Sequence, residues 1–328
     1  MEQRRFSGKG HWYHETQSNH AQTDVLPLVP EAANVDDRFL LDLALPDEIV
    51  AACTGWLTPA RTLCHLLFPL SISVNRLHTL SAYDRLSTAL TVAQACGVQR
   101  LCNHYAALLA PLPGPDSSRE SNRRLAQITQ YARQLASSPD VIDDKALQQL
   151  DEVGLTTYDM VLINQIIGFI GFQARVVAVF QALLGHPVRW LPGHHIQPHT
   201  LPAAPESWVA LLPVVELRYA SAHQLESLSR WQAEPALEAL TPVLSHEPIL
   251  LDLTGEILVN SHDDISLDSP ALSAAIDLLT RSPDRFSAAQ FTPLTEQGLP
   301  AVRAIKLLTR SAMDGWLERL KVAFGKGE

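Results

Sequence analysis

An all-α fold with a duplicated helical unit is what this sequence predicts, on three observations. Helix-start signals precede each long apolar segment, apolar residues recur at helical rather than alternating spacing, and one pattern of residues returns at a fixed offset. Pro46 stands before Asp47-Glu48-Ile49-Val50, a helix start with acids in its first turn. Ser81-Ala82-Tyr83-Asp84 has the form of a capping box and opens a helix to about Ala95. The Pro- and Gly-rich stretch from Pro111 to Ser118 is a break. Helices then follow over about 119–136, 143–153 and 156–184, the last stopped by Gly185 and Pro187. From Ser207 onward the Ala- and Leu-rich spacing is again helical, and strand alternation is limited to Leu211–Leu217.

The returning pattern begins at Ser138-Pro139-Asp140 and again at Ser282-Pro283-Asp284, an offset of 144 (282 − 138). In the same register Leu150, Glu152, Gly154 and Leu155 match Leu294, Glu296, Gly298 and Leu299. Gly171, Arg175 and Phe180 match Gly315, Arg319 and Phe324, and Phe172 is answered by Trp316. A short helix, a Gly that closes it in the left-handed region and a long helix with a small residue for close packing account for this pattern. The domains expected are a flexible arm over 1–36, a helical domain over 37–190, a Pro/His-rich linker over 191–206 and a second, truncated helical domain over 207–328.

Composition narrows the function classes. Apolar residues make up 46% of the 328 and charged ones 18%, which suits a well-buried globular protein. The net charge of −10 gives no basis for binding nucleic acid or an anionic membrane. The most apolar stretch, Met160 to Ala174, is shorter than the roughly 20 residues a bilayer requires and reads as a buried core helix, so no membrane span is expected. The polar N-terminus has no apolar segment of the kind a secretory signal needs. Four cysteines (Cys53, Cys64, Cys96, Cys102) are too few for a disulfide scaffold, and a reduced cytoplasm is the expected compartment.

The pattern of Ser-Pro-Asp, Glu-x-Gly-Leu and a long helix ending Gly-Phe-x-x-Arg resembles the C-terminal half of a carboxymuconolactone decarboxylase or alkylhydroperoxidase-D module. Upstream, Leu80-Ser81-Ala82-Tyr83-Asp84-Arg85-Leu86 is similar to the family's Leu-Ser-x-Arg-Glu-Arg-Glu helix. Ala95-Cys96-Gly97-Val98-Gln99-Arg100-Leu101-Cys102-Asn103-His104-Tyr105-Ala106 falls where that family keeps a Cys-x-x-Cys-x-x-x-His helix. The resemblance covers residues 40–190 completely and 207–328 in part. It implies an oxidoreductase of peroxidase type, in which a Glu and a His lower the thiol pKa of a cysteine pair.

The departures concern that chemistry. With Cys102 in the second cysteine place, the first falls on Gln99, the His on Ala106 and the Glu on Ser87. A Gln cannot form a disulfide and an Ala cannot move a proton, so a two-cysteine cycle in one module is not expected. On an unbroken helix Cys96 and Cys102 lie about 9 Å apart along the axis and some 120° out of phase, beyond disulfide reach unless the helix breaks at Gly97. The resemblance makes Cys102 the nucleophile, assisted by His104, if the helix ends near Asn103, or by Tyr105, which shares its face. A peroxide or a small thiol compound would be the substrate. The other readings make Cys102 a buried small hydrophobe and His104 a polar residue on a solvated or interface face, and the protein a non-catalytic binder of a small molecule or partner. A lyase or decarboxylase of the family's other branch is a third.

Cys53 and Cys64, eleven apart, share a helix face and read as core. Asp84 reads as a helix-start residue, Arg175 and Arg319 as braces of the helix end, and Asn164 and Gln173 as buried polar pairs. His186, His194, His195 and His199 lie in or beside the Pro-rich linker without a nearby cysteine, so no metal is expected, nor any cofactor. Self-association as a homo-oligomer is expected, because family members do so.

Overall fold

The structure, a computed structural model, describes residues 32–188, 208–262 and 269–327. Helix α1 runs Asp47–Leu67 behind Pro46, with the two acids in its first turn. It buries one stripe that includes Cys53, Trp56, Ala60, Leu63 and Cys64, so the two cysteines share the face their spacing gives them. Helix α2 (Ala82–Cys96) opens on a complete capping box: Asp84 N donates to Ser81 Oγ at 3.1 Å, and Ser81 N donates to Asp84 Oδ2 at 3.0 Å. The role read for Asp84 is the one it has. Gly97, at φ +73°, closes α2, and α3 (Gln99–Leu109) follows at once in a new direction.

Helix α4 (Arg119–Ser137) starts from a Ser118 cap after the Pro/Gly break. A 3-10 turn (Pro139–Val141), α5 (Asp144–Asp151) and α6 (Thr157–Leu183) complete the first half. Thr156 and Asp159 form a capping box at the start of α6. Asp159 also accepts from Thr79 N at 2.7 Å and Thr79 Oγ1 at 2.6 Å, which fastens the start of α2 to the start of α6. By length and composition α6 is apolar enough to cross a membrane, and 89% of its apolar window is buried inside the protein.

The second half holds β1 (Trp208–Ala210), α7 (Ala222–Trp231), α8 (Thr241–Leu244), α9 (Pro248–Asn260), α10 (Pro270–Arg281), a 3-10 turn (Pro283–Arg285), α11 (Ala288–Glu296), α12 (Ala301–Phe324) and β2 (Gly325–Gly327). With twelve α-helices among the described residues and one two-stranded ribbon, the fold is essentially all-α. The alternation over Leu211–Leu217, the one stretch with any strand-like spacing, forms no strand. Pro213 has no N–H to give to a ladder, and the ribbon lies just before it, with Trp208 opposite Gly327. The Trp208 indole covers Gly325 so closely that a Cβ there would lie 2.1 Å from the ring.

The stretches 144 residues apart pass through the same succession of elements. Ser138 (φ −150°, ψ 64°) and Ser282 (φ −148°, ψ 64°) each lead into the 3-10 turn. Asp143 and Ser287 cap the short helices, and Gly154 (φ +84°) and Gly298 (φ +90°) end them. The long helices α6 and α12 pack on each other at the centre, where the Trp316 ring stands 5.7 Å from Phe172 and 5.8 Å from Phe169. Arg175 donates to Gly171 O at 2.8 Å in its own helix and to Thr280 O at 2.7 Å across the interface. Arg319 donates to Gly315 O at 2.8 Å and to Ala136 O at 3.0 Å. Each acceptor of one arginine is thus the counterpart, at the same offset, of an acceptor of the other. One apolar cluster extends from Phe39 to Phe324 and draws on both 37–190 and 207–328. The 191–206 linker and all but 32–36 of the N-terminal arm lie outside the described residues.

Candidate functional site

The left-handed turn at Gly97 decides where the cysteines go. A Cβ there would meet the Asp284 side chain at 3.0 Å, so the turn between α2 and α3 is seated directly on the second Ser-Pro-Asp. The break that a Cys96–Cys102 bond would need is therefore present, yet both thiols are free, as are Cys53 and Cys64. Cys96 ends α2 beside Arg175, which gives it a side-chain hydrogen bond. Burial raises its pKa in spite of the two arginines near it, and Asp284 adds to the rise.

Cys102 is 5% exposed in α3. Burial, then the nearby Cys96, push its thiol up to about 12. A thiol held there is protonated at neutral pH, and the thiolate is the nucleophile. Helix α3 continues unbroken through Asn103 to Leu109, so the condition under which His104 would turn back toward Cys102 is not met. His104 is 2% exposed, and burial and the Arg38 charge press its pKa down to about 4. Neither ring nitrogen makes a hydrogen bond of good geometry among the described residues, and the Ala32 backbone and Asp42 exert only a weaker opposing pull. Tyr105 is wholly buried and donates its hydroxyl to Gln173 Oε1 at 2.8 Å, away from Cys102. Gln173 Nε2 in turn donates to Arg38 O and Phe39 O, while Asn164 accepts from Tyr131 and donates to Met160 O. These polar residues of α6 are structural pairs, as their burial requires.

His104 gives a testable pH dependence. Its folded pKa lies below the ordinary 6.5, so as pH falls the unfolded chain takes the proton first. The contribution of the neutral ring is full above 6.5 and lost as pH drops toward about 4. At about 1.4 kcal/mol per pH unit this amounts to about 3 kcal/mol. His104→Leu is expected to remove that slope in urea titrations between pH 7 and 4; a variant as acid-sensitive as the parent would contradict it.

Gln99, where the resemblance puts the first cysteine, does reach open space. A cavity of about 390 Å³ is bounded by Val98, Gln99 and Arg100 from α3, Gln181 and His186 at the end of α6, and Asp284 and Phe286 from the second half. It therefore lies between the two halves, with amides, a guanidinium, an imidazole and a carboxylate on its walls. His186 belongs to this wall; His194, His195 and His199 lie outside the described residues. Gln181 was not singled out by sequence, and Asp284 appeared only as part of the repeat, because nothing local shows that they face Gln99. Compared with models of known protein families and with curated proteins, the sequence matches none.

Proposed function

We propose that this chain is a duplicated helical protein of the carboxymuconolactone decarboxylase and alkylhydroperoxidase-D kind that has lost thiol catalysis and binds a small molecule in the cavity between its two units. The state of the thiols carries the reading: all four are buried, and burial raises the pKa of every one. The reciprocal bonds of Arg175 and Arg319, with donors and acceptors all related by the one offset, support the duplication. The same reading has the chain self-associate, as members of that family do.

Under native conditions no thiol is expected to react with a disulfide-exchange reagent on the timescale of a free cysteine, and four are expected to react in denaturant. Cys102→Ser should leave fold and ligand binding intact. Rapid native labelling of Cys102, or sulfenate at Cys102 ahead of the others after limiting peroxide, would overturn this.

The second reading is an oxidoreductase acting on a peroxide or small thiol through Cys102, with His104 or Tyr105 assisting. The cavity favours it to this extent, that Gln99 on its wall is one turn from Cys102. The peroxide experiment separates the two.

A further inference from the structure

At the other end of α2 stands a group that the proposed function does not use. Arg85 is twelve residues before Gly97, about 18 Å away along the helix. Its residue is 9% exposed, and its side chain lines a second cavity of about 340 Å³ between the segment after α1, the start of α6 and the start of α9. One donor is occupied, Nη1 giving to Leu67 O at 3.2 Å. Nε is buried with no acceptor among the described residues. Two carboxylates act on the guanidinium through space, those of Glu247 and Asp159, but neither bonds it. Asp159 is taken by Thr79, Leu80 and Thr156, and Glu247 Oε1 lies 2.6 Å from His78 Nε2. The charge is offset at a distance, Nη1 is engaged, and Nε has no acceptor among the described residues.

The donors left over suit one kind of guest. A guanidinium offers planar paired donors that match a carboxylate edge to edge. Leu162, Ile249 and Leu250 supply an apolar wall beside it, and Ile249 is 52% exposed at the rim. Glu247, itself on the cavity wall and bonded to His78, disfavours a doubly charged head. We propose that this cavity binds a small amphipathic carboxylate, its head on Arg85 and its tail along Leu162, Ile249 and Leu250.

Octanoate is the probe, titrated calorimetrically into the full chain at neutral pH beside 1-octanol and octyl phosphate. Octanoate is expected to bind with a dissociation constant below a millimolar and at least about tenfold more tightly than octanol, the worth of a charged hydrogen bond. Arg85→Gln should weaken it by about tenfold or more. Arg85 also holds Leu67 O, so if that variant does not fold, Ile249→Asp, on the exposed rim, decides and should weaken octanoate by a similar factor through like-charge repulsion. No detectable octanoate binding, octanol or octyl phosphate binding as tightly as octanoate, or a folded Ile249→Asp with unchanged affinity would each overturn the proposal. The site stands apart from the thiols and from the cavity between the units, so the outcome is independent of the reading above.

Discussion

Gly168→Ala is expected to destabilise the protein by about 3 kcal/mol, at or above the upper end of ordinary overpacking. A methyl group there would lie 1.8 Å from Trp316 Cδ1 and 2.2 Å from Nε1, inside any permitted contact. The indole cannot swing aside, because it is fully buried and wedged between Phe169 and Phe172. Backbone separation between α6 and α12 would have to give, and those two helices are the centre of the core. Two nearby glycines serve as controls. A Cβ at Gly171 or Gly315 would meet only an arginine Nη1, at 3.4 Å and 3.5 Å. Alanine at either should be close to neutral, since the gain in helix propensity, up to about 1 kcal/mol, offsets a slight crowding. Thermal denaturation of the three variants tests the contrast. Trp316→Leu should recover most of the Gly168→Ala loss in a double-mutant cycle; additive losses would show that the indole is not the obstacle.

Helix ends were the most legible part of the fold. Ser81 with Asp84, Ser118 and Gly185 act locally, through bonds within a few residues, and local chemistry is what a sequence displays. The capping box read at Ser81 is complete in the structure. The short ribbon was not legible: the alternation at Leu211–Leu217 is interrupted by Pro213, and the pairing joins residues more than a hundred apart. The candidate site divides in the same way. Spacing makes Cys102 and His104 face differently if they share a helix and lets them approach if it ends near Asn103, and α3 is unbroken there. Burial of Cys102 was one of the readings open in the sequence, whereas His104, read on a solvated or interface face, is 2% exposed, since the groups around it come from distant segments: Arg38 and Asp42 act on His104, and Asp284 acts on Cys102. The Arg85 cavity is beyond any local reading for the same reason, its walls coming from three segments.

Arg175 and Arg319 join both levels, and their removal is the second large effect. Thr280 lies in the last turn of α10 and Ala136 in the last turn of α4, where carbonyls have no donor within the helix. Each guanidinium therefore caps a helix of the opposite half, a place where the peptide dipoles favour a cation. Arg175→Met or Arg319→Met keeps the apolar stem but leaves a buried carbonyl unpaired. At about 1.5–3 kcal/mol for a bond from a charged donor, each variant should lose about 3 kcal/mol in denaturant titrations. The two losses should be alike, apart from the additional contact of Arg175 with Cys96, which has no counterpart in the second half. They should also be more than additive. Each guanidinium is buried, and Arg175 lowers the pKa of Arg319, so each single removal is softened by relief of the one repulsion between them, which the double variant can relieve only once. A double variant that loses no more than the sum of the two would mean the charges do not repel each other; an Arg319→Met variant near parental stability would mean that the crossed bond to Ala136 contributes nothing and that the two arginines are not equivalent braces.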